Sequence, residues 1–187
     1  DLELLAESKA FPVFCPTTHG IAGKPMNTNF LSELKVDWGI GTDCSGGNDD
    51  YDMLEEMRTA LVLNNSVAKK DFIKPKEIFR KASEENIKRI SGGNFSGNLS
   101  KNQKADFITI SINSQRMQPL HDVINNIVMC ASSNEIKDVF IDGVCILKDS
   151  KFQLIDEQKV FEEGLEALKK LFTKTGFDKK IDNGDFS

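Results

Sequence analysis

The side chain with the clearest chemical potential is the carboxylate of Asp43. It ends the run Val36-Asp37-Trp38-Gly39-Ile40-Gly41-Thr42 and opens the glycine-containing loop Cys44 to Tyr51. Strand alternation sends Val36, Trp38, Ile40 and Thr42 to one face and Asp37, Gly39, Gly41 and Asp43 to the other. One face is bulky and the other nearly bare. A sheet closed into a barrel crowds its inner face, so small residues followed by an acid suit the carboxyl end of a barrel strand, where such enzymes carry catalytic groups. The competing reading is a cap, since aspartate is a preferred turn and capping residue. A calcium loop built from Asp43, Ser45, Asp49, Asp50 and Asp52 fails on spacing. Counting from Asp43, the sixth position is Asn48 rather than glycine and the twelfth is Leu54 rather than glutamate.

The elements that must hold Asp43 are read outward from it. Asp52 and Glu55 form a capping-box-like pair opening a helix, with Met53, Met57, Ala60 and Leu61 as its buried stripe. Upstream, Asp1 to Lys9 reads as a helix with Leu2, Leu5 and Ala6 on one face. Phe11 to Phe14 then reads as a buried strand, Cys15 to Gly20 as a loop and Asn27 to Leu34 as a helix, before the strand Val36 to Thr42. That order is the alternation of a parallel sheet or barrel. His19, in the loop, has no partner visible in sequence and reads as a solvated histidine.

Downstream, Pro75 to Ile90 begins with proline in a first-turn position and carries Ile78, Phe79, Ala82, Ile87 and Ile90 at helical spacing. Ser91 to Asn94 stops it, and a polar connector runs to Gln103. Lys104 to Ile110 alternates like a strand, Pro119 to Val128 reads as a helical link, and Asp138 to Leu147 is a hairpin turning at Asp142-Gly143. His121 lies on this side of the chain, where a structural hydrogen bond is the expected role. Phe161, Leu165, Leu168 and Phe172 give the last helix an apolar stripe, and Thr173 to Ser187 reads as a mobile end.

Composition narrows the class of protein. A chain of 187 residues with 39% hydrophobic content holds one domain with a sizeable core, or pieces of two. A net charge of −5 with interspersed signs lacks the clustered basic face of a nucleic-acid binder. No apolar run has the length to span a bilayer, so no membrane role is expected. Cys15, Cys44, Cys130 and Cys145 form no CxxC pair and follow no signal peptide, which favours reduced thiols in a cytoplasmic protein. The chain begins without methionine inside a helical pattern and is read as the tail of a longer protein.

Several segments together resemble one family. Gly39-Ile-Gly-Thr-Asp43, Asp52-Met-Leu-Glu-Glu-Met-Arg58, Lys104-Ala-Asp-Phe107 and Asp138-Val-Phe-Ile-Asp-Gly143 are similar to the metal-dependent amidohydrolase superfamily. Within it they match the deaminase and chlorohydrolase branch, which includes methylthioadenosine/S-adenosylhomocysteine and guanine deaminases. Phe14 and His19 stand where that branch commonly has histidine and asparagine. The resemblance implies an α/β fold, the C-terminal sector of a TIM (β/α)8 barrel over 1–103, with strands of a small β-sandwich over 104–155 and a C-terminal helix and tail over 156–187. It assigns Asp43 two roles, ligand to a catalytic divalent metal (zinc or iron) and participant in proton transfer. Thr18, His19, Cys44 and Ser45 are implied to line the pocket of a small heterocyclic, purine-like substrate.

The family's other metal ligands are histidines on earlier strands, and His19 and His121 form no His-x-His pair. One carboxylate cannot make a three- or four-ligand site. No metal is therefore expected on this chain alone. The reading is the C-terminal portion of a hydrolase of C–N bonds, inactive by itself and completed by the missing N-terminal part of the same enzyme, with a homo-oligomer possible. The alternative is a non-catalytic scaffold built from an incomplete barrel, whose raw strand edges and apolar face are a liability in a free protein.

Overall fold

A computed structural model describes residues 2–8, 10–25 and 27–176. The fold is mixed α/β, with two separate sheets. In chain order it runs through α1 (Leu2–Glu7), β1 (Val13–Phe14), α2 (Pro16–Ile21), α3 (Asn29–Glu33), β2 (Gly39–Ile40), α4 (Ser45–Asn48) and α5 (Met53–Val67). Then come α6 (Pro75–Arg80), a π-helical turn (Lys81–Glu85), α7 (Asn86–Ile90), β3 (Phe107–Ile110), α8 (Val123–Cys130), β4 (Ile136–Ile141), β5 (Val144–Lys148), β6 (Lys151–Phe152) and α9 (Glu157–Thr175). Asp1, Lys9 and the tail beyond Gly176 lie outside the described residues.

β1 and β2 pair in parallel, Val13 opposite Gly39 and Phe14 opposite Ile40. Both are shorter than Phe11 to Phe14 and Val36 to Thr42, because pairing reaches only from Pro12 C=O to the Gly41 N–H. On its other edge β2 meets a side chain: Asn86 accepts from the Ile40 N–H at 3.3 Å and donates to its carbonyl at 2.5 Å. The bare face of the strand is also filled. A Cβ on Gly39 would collide with Asn86 Oδ1 and lie 2.7 Å from the Phe11 ring.

The residues from Cys15 to Gly20 are not a loop: Pro16 opens helix α2 at its first turn, where its missing N–H costs no hydrogen bond. A short helix, α4, likewise interrupts the loop after Asp43. α5 is capped as expected, Asp52 accepting from the Leu54 and Glu55 amides. The Asp52 N–H donates to the Asp50 side chain rather than to Glu55. Leu54, Met57, Ala60 and Leu61 are buried, and they join Leu31, Trp38, Ile40 and Ile78 in one core with Met117, Val128 and Ala131.

The helix from Pro75 continues to Ile90 through its π-helical turn, and that wider turn rotates the residues beyond it about the helix axis. The apolar periodicity goes out of phase: Ile78 is buried, while Ile90 is 76% exposed.

The second sheet is antiparallel in the order β3-β4-β5-β6. Asp142 and Gly143 take φ of 50° and 79°, the left-handed pair that a tight hairpin with right-twisted strands requires. α8, capped by Asp122, packs against α5 and α6. The final helix runs through Thr175, so Thr173 to Thr175 are helical rather than part of a tail.

Candidate active site

Asp43 follows β2 at the strand's carboxyl end, in left-handed backbone with φ 62°. Aspartate tolerates this region better than most side chains. The turn leaves the carboxylate exposed. Its Oδ1 accepts from the Cys44 N–H at 2.8 Å, so the capping reading is realised on one oxygen. No described hydrogen-bond donor reaches Oδ2.

Thr18 approaches the same spot from α2. A Cβ at Gly47 would lie 3.3 Å from Thr18 Oγ1 and 3.5 Å from Asp43 Oδ2, so both side chains crowd this glycine. The hydroxyls of Thr17 and Thr18 are buried without a hydrogen-bond partner among the described residues. Cys44 and Ser45 are exposed at the start of α4, where the Ser45 N–H donates to the Tyr51 hydroxyl at 3.4 Å. His19 is half-buried rather than solvated, and its ring stands edge-on to Phe14 at 6.0 Å. His121 is exposed ahead of α8.

Three residues that sequence reasoning did not single out shape this corner, two by hydrogen bonds and one by its charge state. Glu56 is fully buried; its Oε2 accepts from the Thr17 N–H at 3.1 Å and its Oε1 from the Asn48 side chain at 3.0 Å. Asn48 donates in turn to the Thr42 carbonyl at 3.0 Å, one residue before Asp43. A signal existed: Glu56 and Asn64 interrupt the apolar stripe of α5 at positions that face inward.

The third is Cys15. Burial pushes its thiol up, the negative charges of Asp43 and Glu56 add to the rise, and a backbone hydrogen bond from Asp43 opposes it. The result is a neutral thiol beside the carboxylate at physiological pH. Among the described residues, no group of three or more His, Cys, Asp and Glu side chains is arranged to hold a metal ion.

The amidohydrolase family model matches residues 1–146, and the chain belongs to that family. A 5-methylthioadenosine/S-adenosylhomocysteine deaminase of Dictyoglomus turgidum is 30% identical over 173 residues, covering 92% of this chain and 40% of that protein. A 5'-deoxyadenosine deaminase of Methanosarcina mazei is 28% identical over 145 residues, 77% of this chain and 33% of that protein. The crystal structure of a zinc-bound adenosine deaminase from Xanthomonas campestris superposes with a TM-score of 0.85 at 24% identity, over 92% of this chain and 40% of that one. The chain thus has the fold of its family and spans 33% to 40% of the length of these proteins. No helix among the described residues is long and apolar enough to cross a membrane.

Proposed function

We propose that this chain is the C-terminal portion of a cytoplasmic, metal-dependent hydrolase that removes an amino group from a purine-like heterocycle. Residues 1–103 are its barrel sector, 104–155 the strands of its small β layer, and 156–187 its terminal helix and tail. The observation that carries the reading is the Asp43 carboxylate itself. It sits at the carboxyl end of a parallel strand, turned outward by left-handed backbone, with Oδ2 unengaged beside Gly47.

Those features suit one ligand of a divalent metal, zinc or iron, with the remaining ligands supplied by the rest of the enzyme. When bound, such a metal acidifies a water for attack on the ring carbon. The Asp43 carboxylate takes up the water's proton and returns it to the departing nitrogen. Thr18 and His19 on α2, the Thr18 hydroxyl being without a partner among the described residues, and Cys44 and Ser45 at the start of α4 face the heterocycle. Cys15 stays a neutral thiol and keeps a second negative charge away from Asp43.

Ammonia release from adenosine-like nucleosides by the complete enzyme tests the reading. Asp43→Asn is expected to remove most of the activity while leaving the circular dichroism spectrum unchanged. Full activity in that variant overturns the assignment.

A further inference from the structure

Glu56 lies on the inward face of α5, yet both of its hydrogen-bond partners belong to the turns around Asp43. Its Oε2 accepts from the Thr17 N–H at 3.1 Å, in the first turn of α2. Cys15, the N-cap residue of α2, makes no side-chain capping bond, so a carboxylate 39 residues away in sequence does the capping instead. Its Oε1 accepts from Asn48 Nδ2 at 3.0 Å, at the end of α4.

Asn48 in turn brackets Asp43. Its Nδ2 also donates to the Thr42 carbonyl at 3.0 Å, and its backbone N–H donates to the Cys44 carbonyl at 3.1 Å. The residues on both sides of Asp43 are thereby tied to one asparagine. The Thr42 carbonyl and Glu56 Oε1 are both acceptors, so the Asn48 amide stands with its nitrogen toward them and spends both hydrogens. Turned over, it would set its oxygen against two acceptors. Glu56 therefore selects the amide orientation that clamps Asp43 in left-handed backbone, a conformation that persists only where its surroundings enforce it.

We propose that Glu56 is a positioning residue, acting through Asn48 on Asp43 and directly on α2, so that one buried carboxylate sets the Asp43 carboxylate against the wall that carries Thr18 and His19. The proposal rests on the reading of Asp43 as the carboxylate that handles metal and proton. A buried polar tie of this kind adds little net stability, because its bonds mostly offset lost hydration. What it does supply is a fixed geometry, and displacing a reacting group by a fraction of an ångström is costly in rate.

The two ends of the tie predict different kinetics for adenosine in the complete enzyme, measured where circular dichroism shows each variant folded. Asn48→Ala cuts only the branch to Asp43 and should lower kcat about tenfold with KM little changed. Glu56→Gln disturbs both branches and should lower kcat and raise KM together. The double variant should lose no more kcat than the worse single one, since both act through one path. Asn64→Ala is the control: Asn64 is also buried on α5, and its Oδ1 accepts from the Thr28 N–H at 2.8 Å, away from Asp43. It should lose stability and keep both kinetic constants. Deuterium exchange of the same proteins gives a readout that needs no turnover. Glu56→Gln should speed exchange in residues 42–48 and 16–21, and Asn64→Ala should not. Unchanged kinetics in folded Glu56→Gln, or equal losses in Asn64→Ala, overturn the proposal. An enzyme whose wild type leaves adenosine intact counts against the deaminase reading instead, and exchange then decides alone: no acceleration at either segment in Glu56→Gln overturns the positioning role.

Discussion

The buried carboxylate of Glu56 accepts a hydrogen bond from the Asn48 side chain at 3.0 Å, and through it one helix of the core is tied to the turn that presents Asp43. Both Glu56 oxygens act as acceptors, the second for the Thr17 N–H. A glutamine here offers one acceptor and sets its amide nitrogen against another donor. Glu56→Gln is therefore expected to cost about 1–3 kcal/mol, the penalty of a buried donor left unpaired. Thermal unfolding should show a drop of several degrees, roughly 2–4 °C per kcal/mol for a chain of this size. An unchanged midpoint would show that the tie contributes nothing to stability.

Asn86 stands in for a neighbouring strand at Ile40. Asn86→Ala removes both bonds that bracket this residue. The Ile40 amide should then exchange with solvent deuterons about fivefold faster, corresponding to ~1 kcal/mol for one such bond. Other core amides should change less, and equal acceleration everywhere would instead indicate global destabilisation.

Cys15 and Cys44 should separate by reactivity. Cys44 is exposed, whereas Cys15 is half-buried and its thiol is pushed above its usual range. Iodoacetamide at neutral pH should label Cys44 well before Cys15, and labelling of Cys15 should rise only at alkaline pH as the thiolate forms. Rapid labelling of Cys15 at pH 7 would contradict the neutral-thiol role.

The start of the β2 segment carries an acid-sensitive contact. Lys81 Nζ lies 2.5 Å from Asp37 and 2.6 Å from Glu85, and 5.0 Å from the centre of the Trp38 ring. Burial raises the Asp37 carboxyl, but the Lys81 hydrogen bond and charge, with the Trp38 N–H, outweigh it and hold the group below the usual range. A depressed carboxyl contributes stability that is fully present above its unfolded value, about 3.9, and is lost as the pH falls through its lower folded value. Asp37→Asn should thus destabilise the chain modestly at pH 7, and the difference from wild type should vanish in strong acid. Urea midpoints measured from pH 7 downward check the sign.

What could be read from sequence was what short-range rules control. The Asp142-Gly143 turn, the Asp52 cap and the inward face of α5 all depend on residues within a turn of one another. The position of Asp43 after a parallel strand was also legible, because alternation and the glycines beyond it are local. α2 was missed because Pro16 beside two threonines reads as a turn breaker, although proline is equally at home in a first helical turn. The π-helical turn that exposes Ile90 leaves no periodic signature of its own. Strand lengths were overestimated for a different reason: β1 and β2 end where their pairing partners end, and that is a property of neighbours far away in sequence. The Glu56 network spans 39 residues to Thr17, and only the odd presence of an acid in an apolar stripe announced it.

Metal content of the complete enzyme carrying Asp43→Asn, set beside its wild type, decides whether Asp43 is a ligand. The exposed carboxylate has one described hydrogen bond, to the adjacent Cys44 amide, so the substitution leaves the core untouched. The wild type should retain a stoichiometric divalent metal through dialysis, and the variant should lose most of it while unfolding at nearly the same temperature. Retention of the full metal complement by a folded, active Asp43→Asn enzyme would show that the carboxylate serves only to cap its turn.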